Sequence, residues 1–221
     1  MSVDRDDGAS RIQALEAELA AVRADMQHFA YAVSHDLRAP LRHIVSYAQL
    51  VQEDAGEQLS DEVQGFLHTM ADSARHMGTQ LDGLAAWARV GTVELQPQYV
   101  DLHDLVHSLH QTPACQAGPG VQWVFASALP TVWGDPNLLR QALEHVLGNA
   151  VKSSAGQAAS HIAIAPWQDR AQGLIGLRVQ DHGAGYNPAQ QACLFKVFGR
   201  LHSTQQFPGI GMGLAITRRI M

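Results

Sequence analysis

The first fifty residues carry apolar side chains at a regular helical spacing. From Ile12 to Phe29 they recur at alternating steps of three and four, the seam of a coiled coil. Ser10 is a suitable N-cap, so the helix is expected to begin near it. After Phe29 three successive steps are four residues, a stutter that relaxes the supercoil before Ile44 restores the alternation. The pattern predicts one long helix whose irregular part surrounds His35.

A second amphipathic segment follows a short interruption at residues 54–57 and predicts a helix from about Ser60 to about Ala88. Its apolar positions are Phe66, Met70, Met77, Leu81 and Leu84. Two long helices with a short connector form an antiparallel hairpin. Such a hairpin buries little apolar surface alone, so its seam predicts pairing with a second copy into a four-helix bundle. We therefore expect a homodimer.

The pattern changes after Gly91, where prolines, turn residues and short strand-like runs replace the long helical repeats. Strands are expected at 122–127, 161–166 and 173–181, and helices at 136–152, 188–198 and from 213 onward. This order predicts an α/β domain. The expected organisation is a coiled-coil helix over 1–27, the hairpin over 28–93 and the α/β domain over 94–221.

Composition narrows the class of protein. The chain has 221 residues, of which 46% are hydrophobic and 16% charged, enough apolar material for a packed core. Its net charge of −6 provides no basic surface for nucleic acid. The two cysteines support neither a disulfide framework nor a thiolate metal site. The polar N-terminus and the lack of long apolar runs predict a soluble, cytoplasmic chain without a membrane span.

Candidate chemistry in the hairpin centres on His35, which falls off the seam and is expected to face solvent. A neutral imidazole is a nucleophile, and the carboxylate of Asp36 can orient the ring and accept its proton. Pro40 removes a helical hydrogen bond and is expected to kink or loosen the helix nearby. Taken alone, His35 is expected to be an ordinary residue on a solvated helix face.

Five short motifs follow one another along the chain: residues 34–41, residues 135–152, residues 181–185, residues 194–202 and residues 209–215. In this order they resemble the H, N, G1, F and G2 boxes of sensor histidine kinases. The run from Phe198 to His202 is particularly similar to bacterial phytochrome-type kinases. The resemblance covers about residues 28–221. It implies a dimeric helical hairpin followed by an ATP-binding α/β sandwich of the GHKL type.

The resemblance also implies an activity. An ATP-dependent protein histidine kinase of a two-component system would phosphorylate His35 and pass the phosphoryl group to an aspartate of a response-regulator receiver domain. ATP and Mg²⁺ are the implied cofactors. The implied catalytic residues are His35, Asp36 and His145. The implied ATP-binding residues are Asn149, Lys152, Asp181, Gly183, Gly185, Phe198, Gly209, Gly211, Gly213 and Leu214.

These residue types suit the implied chemistry. Asp181 would take the adenine amino group beside glycines that let the backbone approach a ligand closely. The glycines at 209–213 would present N–H groups to phosphate where a helix begins. Asn149 shares a helix face with His145 and Lys152, and its amide oxygen suits Mg²⁺ while Lys152 offsets phosphate charge. A helix-terminal cap is the other interpretation of Asn149.

Departures from the family pattern leave a second hypothesis open. His145 stands where the family has Asn or an acid, and an imidazole is a poor ligand for Mg²⁺. Ser153 and Ser154 replace an aromatic and hydroxyl pair, and the family continues into further strands beyond Met221. The alternative is therefore a catalytically weak or inactive scaffold or phosphotransfer adaptor with an incomplete ATP-binding domain.

The glycines at 209–213 and three regularly spaced histidines allow other interpretations. The glycines at 209–213 do not follow a strand directly, which disfavours a Rossmann site, and no Walker A sequence is present. His103, His107 and His110 lie at i, i+4 and i+7, a spacing that could hold zinc on one helix face. A solvated helix face is the simpler expectation for them.

Overall fold

The structure, a computed structural model, describes residues 3–116, 118, 120–155, 157, 160–201 and 206–221. Side chains are described at residue 8 and from residue 11 onward within these ranges. The chain divides into two compact units, Met1–Thr92 and Val93–Met221, which we call the helical unit and the α/β unit. None of the helices within the described ranges is long and apolar enough to cross a membrane.

The helical unit is an antiparallel pair, α1 (Val3–Ala55) and α2 (Asp61–Val90), joined through a 3₁₀ turn at Gly56–Gln58. The expected start of α1 near Ser10 is wrong. No proline precedes Ser10, and Gly8 costs a helix only about 1 kcal/mol relative to alanine. The helix also continues unbroken through Pro40. At the start of α2, the Ser60 Oγ accepts from the Val63 N–H at 3.4 Å.

Small side chains are buried in the helical unit, and large apolar ones are exposed. Among the described side chains, the buried residues are Ala30, Ser34, Ala48, Ala71, Ala74, Gly83, Ala85 and Ala88. The seam predicted from the sequence lies largely in solvent in the single chain. Its exposed members include Phe29, Leu37, Ile44 and Val51 of α1 and Phe66, Met70 and Met77 of α2. We call these seven residues the apolar face.

The described part of the α/β unit contains two small sheets and three α-helices. Strands β1 (Gln98–Asp101) and β3 (Thr131–Gly134) pair antiparallel. The second sheet has the order β2 (Val121–Phe125), β4 (Ser160–Asp169) and β5 (Leu174–Asp181); β2 and β4 are parallel, β4 and β5 antiparallel. The helices are α3 (Leu102–His110), α4 (Pro136–Ser154) and α5 (Gly213–Ile220).

One hydrophobic core holds these layers together. Leu105, Val106 and Leu109 of α3 pack in it with Leu147 of α4 and Ile164 of β4, and each of the five is buried. Apolar positions three and four residues apart on α3 and alternate positions on β4 supply this common face. The mixed α/β class expected from the sequence is confirmed.

The helix expected over 188–198 is wrong. Only Pro188–Cys193 is helical, and it is a 3₁₀ helix. Phe198 then adopts a left-handed φ of 59°, which an α-helix does not allow. Gly199 approaches the Cys193 carbonyl so closely that any Cβ there would overlap it. The apolar positions of this segment therefore belong to a folded loop.

Candidate functional site

The His35 side chain is exposed, although the residue before it is buried in the helical unit. The neighbouring Ser34 is fully buried, and its Oγ donates to the Ala30 carbonyl at 2.7 Å. The side chains of His35 and Asp36 are 69% and 80% exposed, and the His35 Nδ1 lies 3.1 Å from the Asp36 Oδ1. With its Nδ1–H donating to Asp36, the ring offers the Nε2 lone pair to solvent.

The surroundings of His35 combine an ion pair and open space. Arg38, one turn further along α1, donates to the Asp82 Oδ1 of α2 at 2.8 Å. This bond joins the two helices close to His35. His35 also lines a shallow cavity of about 490 Å³, together with His28, Phe29, Tyr31, Ala32 and Asp36. A large partner can therefore approach the imidazole.

Asp181 ends β5 and packs against the last turn of α4. Its Oδ1 accepts from the Ser153 Oγ at 2.8 Å and from the Gly183 N–H at 3.1 Å. The Ala184 N–H donates to the Ser153 carbonyl at 3.0 Å. Gly183 allows this approach, because a Cβ there would lie 2.7 Å from the Ser153 Cβ and would overlap its carbonyl. Asp181 remains exposed and can still accept from a ligand.

The glycine segment, residues 209–213, needs its glycines. Gly209 and Gly211 have φ of 144° and 73°, in the region that favours glycine. A Cβ at Gly211 would lie 2.5 Å from the Gly199 carbonyl oxygen. Helix α5 then begins at Gly213 without a side-chain cap. Its first-turn N–H groups therefore lack a side-chain acceptor from the capping residue and suit an anionic ligand.

Helix α4 contacts both of these segments. The His145 ring lies 3.3 Å from the Cβ position of Gly213, and the Lys152 Nζ lies 3.8 Å from that of Gly209. One residue further, Ser153 bonds to Asp181. Asn149 lies between these contacts in sequence, more than a turn before α4 ends, so it is not a helix-terminal cap. The structure thus brings the predicted N, G1 and G2 residues to one helix.

His145 is half-buried, with an inaccessible Nε2 that has no hydrogen-bond partner within the described ranges. Burial lowers its pKa from the usual 6.5, and the Lys152 charge lowers it further against the opposing effect of Glu144. The ring is therefore neutral at physiological pH and packs under Gly213. The catalytic role that the resemblance implies for His145 stays a prediction.

The start of α4 is fixed by Asp135. Its carboxylate accepts from the backbone N–H groups of Gln96, Asn137 and Leu138 at 2.9–3.1 Å. The Gln96 bond and then the helix bonds lower the pKa of this carboxyl. An aspartate before Pro136 is a recognisable N-cap signal. The cap therefore sets where Asn149 and Lys152 fall along α4.

Two of the remaining predicted residues, Phe198 and Leu214, lie beside the glycine segment. Phe198, 40% exposed, precedes Gly199 in the folded loop that contacts Gly211. Leu214 is half-buried in the first turn of α5, and Gly185 has a positive φ of 66°. His202 lies outside the described residues. Ser153 and Gly199 were not predicted to contribute, since nothing in their spacing indicates which backbone they touch.

The solvated face expected for the three histidines of α3 is wrong. His107 stacks on Phe125 with ring centroids 4.6 Å apart, and His110 meets Trp123 edge-on at 5.0 Å. All three residues are half-buried; His107 and His110 pack on β2, and His103 packs against His107. In the described part of the chain, no three His, Cys, Asp or Glu side chains converge as metal ligands.

Two families match successive parts of this chain. Residues 25–92 match the His Kinase A (phospho-acceptor) domain, and residues 134–221 match the histidine kinase-, DNA gyrase B- and HSP90-like ATPases. Together the matches cover more than two thirds of the chain. They contain the H box in the first case and the N, G1, F and G2 boxes in the second.

Similar proteins include a phytochrome-like protein and a regulatory histidine kinase. The chain is 29% identical over 213 residues to the phytochrome-like protein Cph1 of Synechocystis sp., covering 96% of this chain and 28% of that protein. It is 29% identical over 205 residues to the methanogenesis regulatory histidine kinase FilI of Methanothrix harundinacea, covering 92% and 23%. The chain spans less than a third of the length of these curated relatives.

Solved structures show the same architecture. Full-length ShkA in complex with AMPPNP is 27% identical, with a TM-score of 0.58 over 87% of this chain and 40% of that chain. The histidine kinase AdeS of Acinetobacter baumannii is 19% identical, with a TM-score of 0.50 over 84% of this chain and 85% of that chain, a likeness of fold alone. The predicted fold class, a helical hairpin followed by a GHKL-type sandwich, is confirmed.

Proposed function

This chain belongs to the sensor histidine kinases, and we propose that it phosphorylates its own His35 from ATP and passes the phosphoryl group to a receiver-domain aspartate. The observation that carries the proposal is the pairing, in one chain, of two sites. One is the exposed imidazole of His35, whose Nδ1 contacts Asp36. The other is formed by Asp181, which accepts from Ser153 of α4, and by the glycine segment, which also contacts α4. The first supplies a nucleophile and the second a nucleotide site.

The acceptor chemistry follows from the His35 geometry. The Nε2 lone pair attacks the γ-phosphorus, forming a P–N bond, and the bond from that phosphorus to the β–γ bridging oxygen breaks as ADP leaves. The ring then carries an extra positive charge, which the Asp36 carboxylate stabilises by accepting the Nδ1 proton. The 3.1 Å contact between these atoms supports this role for Asp36. Exposure of both groups lets the ATP-binding unit and a receiver reach them in turn.

The nucleotide roles follow from α4 and its contacts. The Asp181 carboxylate accepts from the adenine amino group, and Ser153 and the Gly183 N–H hold it in orientation. The N–H groups of the glycine segment and the start of α5 take the phosphates, with Lys152 supplying positive charge. His145 supports Gly213 from below. In this proposal it contacts no phosphate.

The donor set also fits Mg²⁺. The amide oxygen of Asn149 is a hard ligand, and nucleotide-bound Mg²⁺ takes few protein ligands beside phosphate oxygens and water. When bound, the ion would neutralise charge on the β- and γ-phosphates. His145 does not fit this role, because its Nε2 is buried and imidazole prefers softer ions.

A homodimer follows from the apolar face of the helical unit. Seven large apolar side chains of α1 and α2 are exposed there. An exposed apolar surface of this kind marks a site that binds a partner. A second copy supplies the matching surface and completes a four-helix bundle. Sedimentation of the chain at tens of micromolar tests this: a dimer is expected, and a strict monomer would contradict the bundle. Removal of residues 1–27 is expected to weaken association without abolishing it.

The activity is tested with γ-labelled ATP and Mg²⁺. The wild-type chain is expected to acquire label, and His35→Gln and Asp181→Asn to lose it for different reasons. His35→Gln keeps its ATP affinity, whereas Asp181→Asn loses a charge-assisted hydrogen bond worth about 1.5–3 kcal/mol, or tenfold to hundredfold in affinity. Asp104→Asn, an exposed carboxylate on α3, is the control. A wild-type chain that binds ATP but never acquires label would favour the scaffold alternative.

A further inference from the structure

A pair of histidines lies at the end of the larger sheet, outside the ATP-binding residues. In the register of β4 and β5, Ile162 pairs with Asp181, so His161 and His182 lie opposite each other one residue further on. Their ring centroids are 3.9 Å apart, with planes tilted by 28°. Both residues are exposed. Two imidazoles from neighbouring strands therefore meet on the protein surface.

The pair occupies the face of the sheet opposite the candidate ATP-binding site. Ile162 is fully buried, and side chains alternate between the two faces along a strand. His161 therefore points away from the face that Ile162 and α3 share. His182, as its cross-strand neighbour, joins it there, while the Asp181 carboxylate is on the α4 side with Ser153. A ligand of the histidines would not compete directly with ATP.

The backbone holds His182 in an orientation suited to a ligand. Its Nδ1 lies 3.4 Å from the His161 carbonyl oxygen, and the Ser160 Oγ donates to the His182 carbonyl at 3.2 Å. A proton on Nδ1 that faces this carbonyl leaves Nε2 with a lone pair. Metal-binding histidines commonly donate their other N–H to a backbone carbonyl in this way, which fixes the tautomer and the ring.

We propose that His161 and His182 together bind one divalent transition-metal ion such as Zn²⁺, with water completing its coordination. Imidazole nitrogen suits Zn²⁺, Cu²⁺ and Ni²⁺, whereas Mg²⁺ and Ca²⁺ prefer oxygen. Two nitrogens each about 2.0–2.1 Å from one ion lie roughly 3 Å apart. Because the two rings are stacked at 3.9 Å, their side chains must turn out of the stack so that both Nε2 lone pairs point at one ion. A bound ion would cross-link the ends of β4 and β5 one residue from Asp181.

The surroundings favour binding of moderate strength. The cross-strand neighbours of His161 and Ala163 are Gln122 and Gln180, which are uncharged and do not repel an incoming ion. No third His, Cys, Asp or Glu side chain joins the pair within the described ranges. The site therefore differs from a four-ligand structural zinc centre. It is expected to respond to the free metal concentration.

Calorimetric titration with Zn²⁺ alone, without nucleotide, tests the proposal on the full chain. The wild type is expected to bind one Zn²⁺ ion. The affinity for Zn²⁺ is expected to fall at least tenfold in His161→Gln and by the same factor in His182→Gln. The control is His76→Gln, which replaces a histidine of α2 and is expected to keep the wild-type affinity for Zn²⁺. Zn²⁺ should also raise the melting temperature of the wild type and of the control more than that of either variant.

The outcomes separate cooperation of the two rings from single-histidine binding. Melting without metal checks that each variant folds, which is expected because both side chains are exposed. Equal Zn²⁺ affinity in the wild type and both variants would overturn the proposal. So would a loss in only one variant, because it would indicate a lone histidine. Neither result depends on ATP binding or on His35.

Discussion

Replacing Gly183 by alanine is expected to weaken ATP binding, because the backbone of α4 lies where the new methyl group must go. A Cβ at this position would lie 2.7 Å from the Ser153 Cβ, short of the 3.4 Å at which ordinary contact begins, and would overlap the Ser153 carbonyl. Neither obstacle is the flexible end of a side chain. The segment must move, and the bonds from Gly183 to Asp181 and from Ala184 to Ser153 must lengthen or break.

The size of the effect can be bounded. Overpacking a close backbone contact costs about 1–3 kcal/mol. If ATP must restore the native arrangement to bind, that cost appears in its affinity as roughly a fivefold to hundredfold loss. Gly176→Ala is the control on β5, the strand that precedes Gly183, since the nearest atom to a Cβ there is in the Trp167 ring at 4.0 Å. Its ATP affinity is expected to stay within twofold of the wild type.

Calorimetric titration of each variant with Mg²⁺ and a non-hydrolysable ATP analogue measures the effect, and melting measures the stability lost without ligand. The expected result is weaker binding by Gly183→Ala alone. An unchanged affinity in Gly183→Ala, at wild-type stability, would refute the reasoning that Asp181 is positioned through this contact.

Two further predictions concern α4. Ser153→Ala removes the 2.8 Å bond to the exposed Asp181 and should lower ATP affinity by about 1 kcal/mol, or fivefold, whereas Ser154→Ala should leave it unchanged and keep or raise the melting temperature. The buried Ser154 hydroxyl has no partner within the described ranges, so its loss costs no hydrogen bond there. Because burial depresses the His145 pKa below 6.5, the folded chain binds fewer protons than the unfolded one, and stability should fall as pH drops below 6.5. Between pH 7.5 and pH 5.5 the melting temperature of His145→Gln should fall by less than that of the wild type. An equal fall in the two proteins would contradict this account.

Periodicity was sufficient to predict the long elements. The spacing of Ile12 to Phe29 and that of the apolar residues after Ser60 predict two helices, and both are present because this signal is local. The same spacing could not show that alanines such as Ala74 would face the partner helix while Met70 stayed exposed. Which apolar stripe packs within the chain depends on the closest approach that small residues allow, a tertiary property.

Loops and contacts between elements were predicted less well. The segment 188–198 has helix-like apolar positions, but backbone approaches at Gly199 and the positive φ of Phe198 override them. The order of the boxes indicated which residues share the candidate ATP site. It did not indicate that Ser153 holds Asp181 or that His145 packs under Gly213, because both contacts join residues distant in sequence.

The central claim is that His35, among the twelve histidines of the chain, accepts the phosphoryl group. The most direct measurement is to incubate the protein with Mg²⁺ and ATP and to locate the acid-labile phosphate by peptide mapping under alkaline conditions. The account predicts phosphate on the peptide that contains His35, absent in His35→Gln and retained in His43→Gln, a control two turns away on the same helix. Phosphate at the wild-type rate in His35→Gln, or on any other histidine of the wild type, would contradict it.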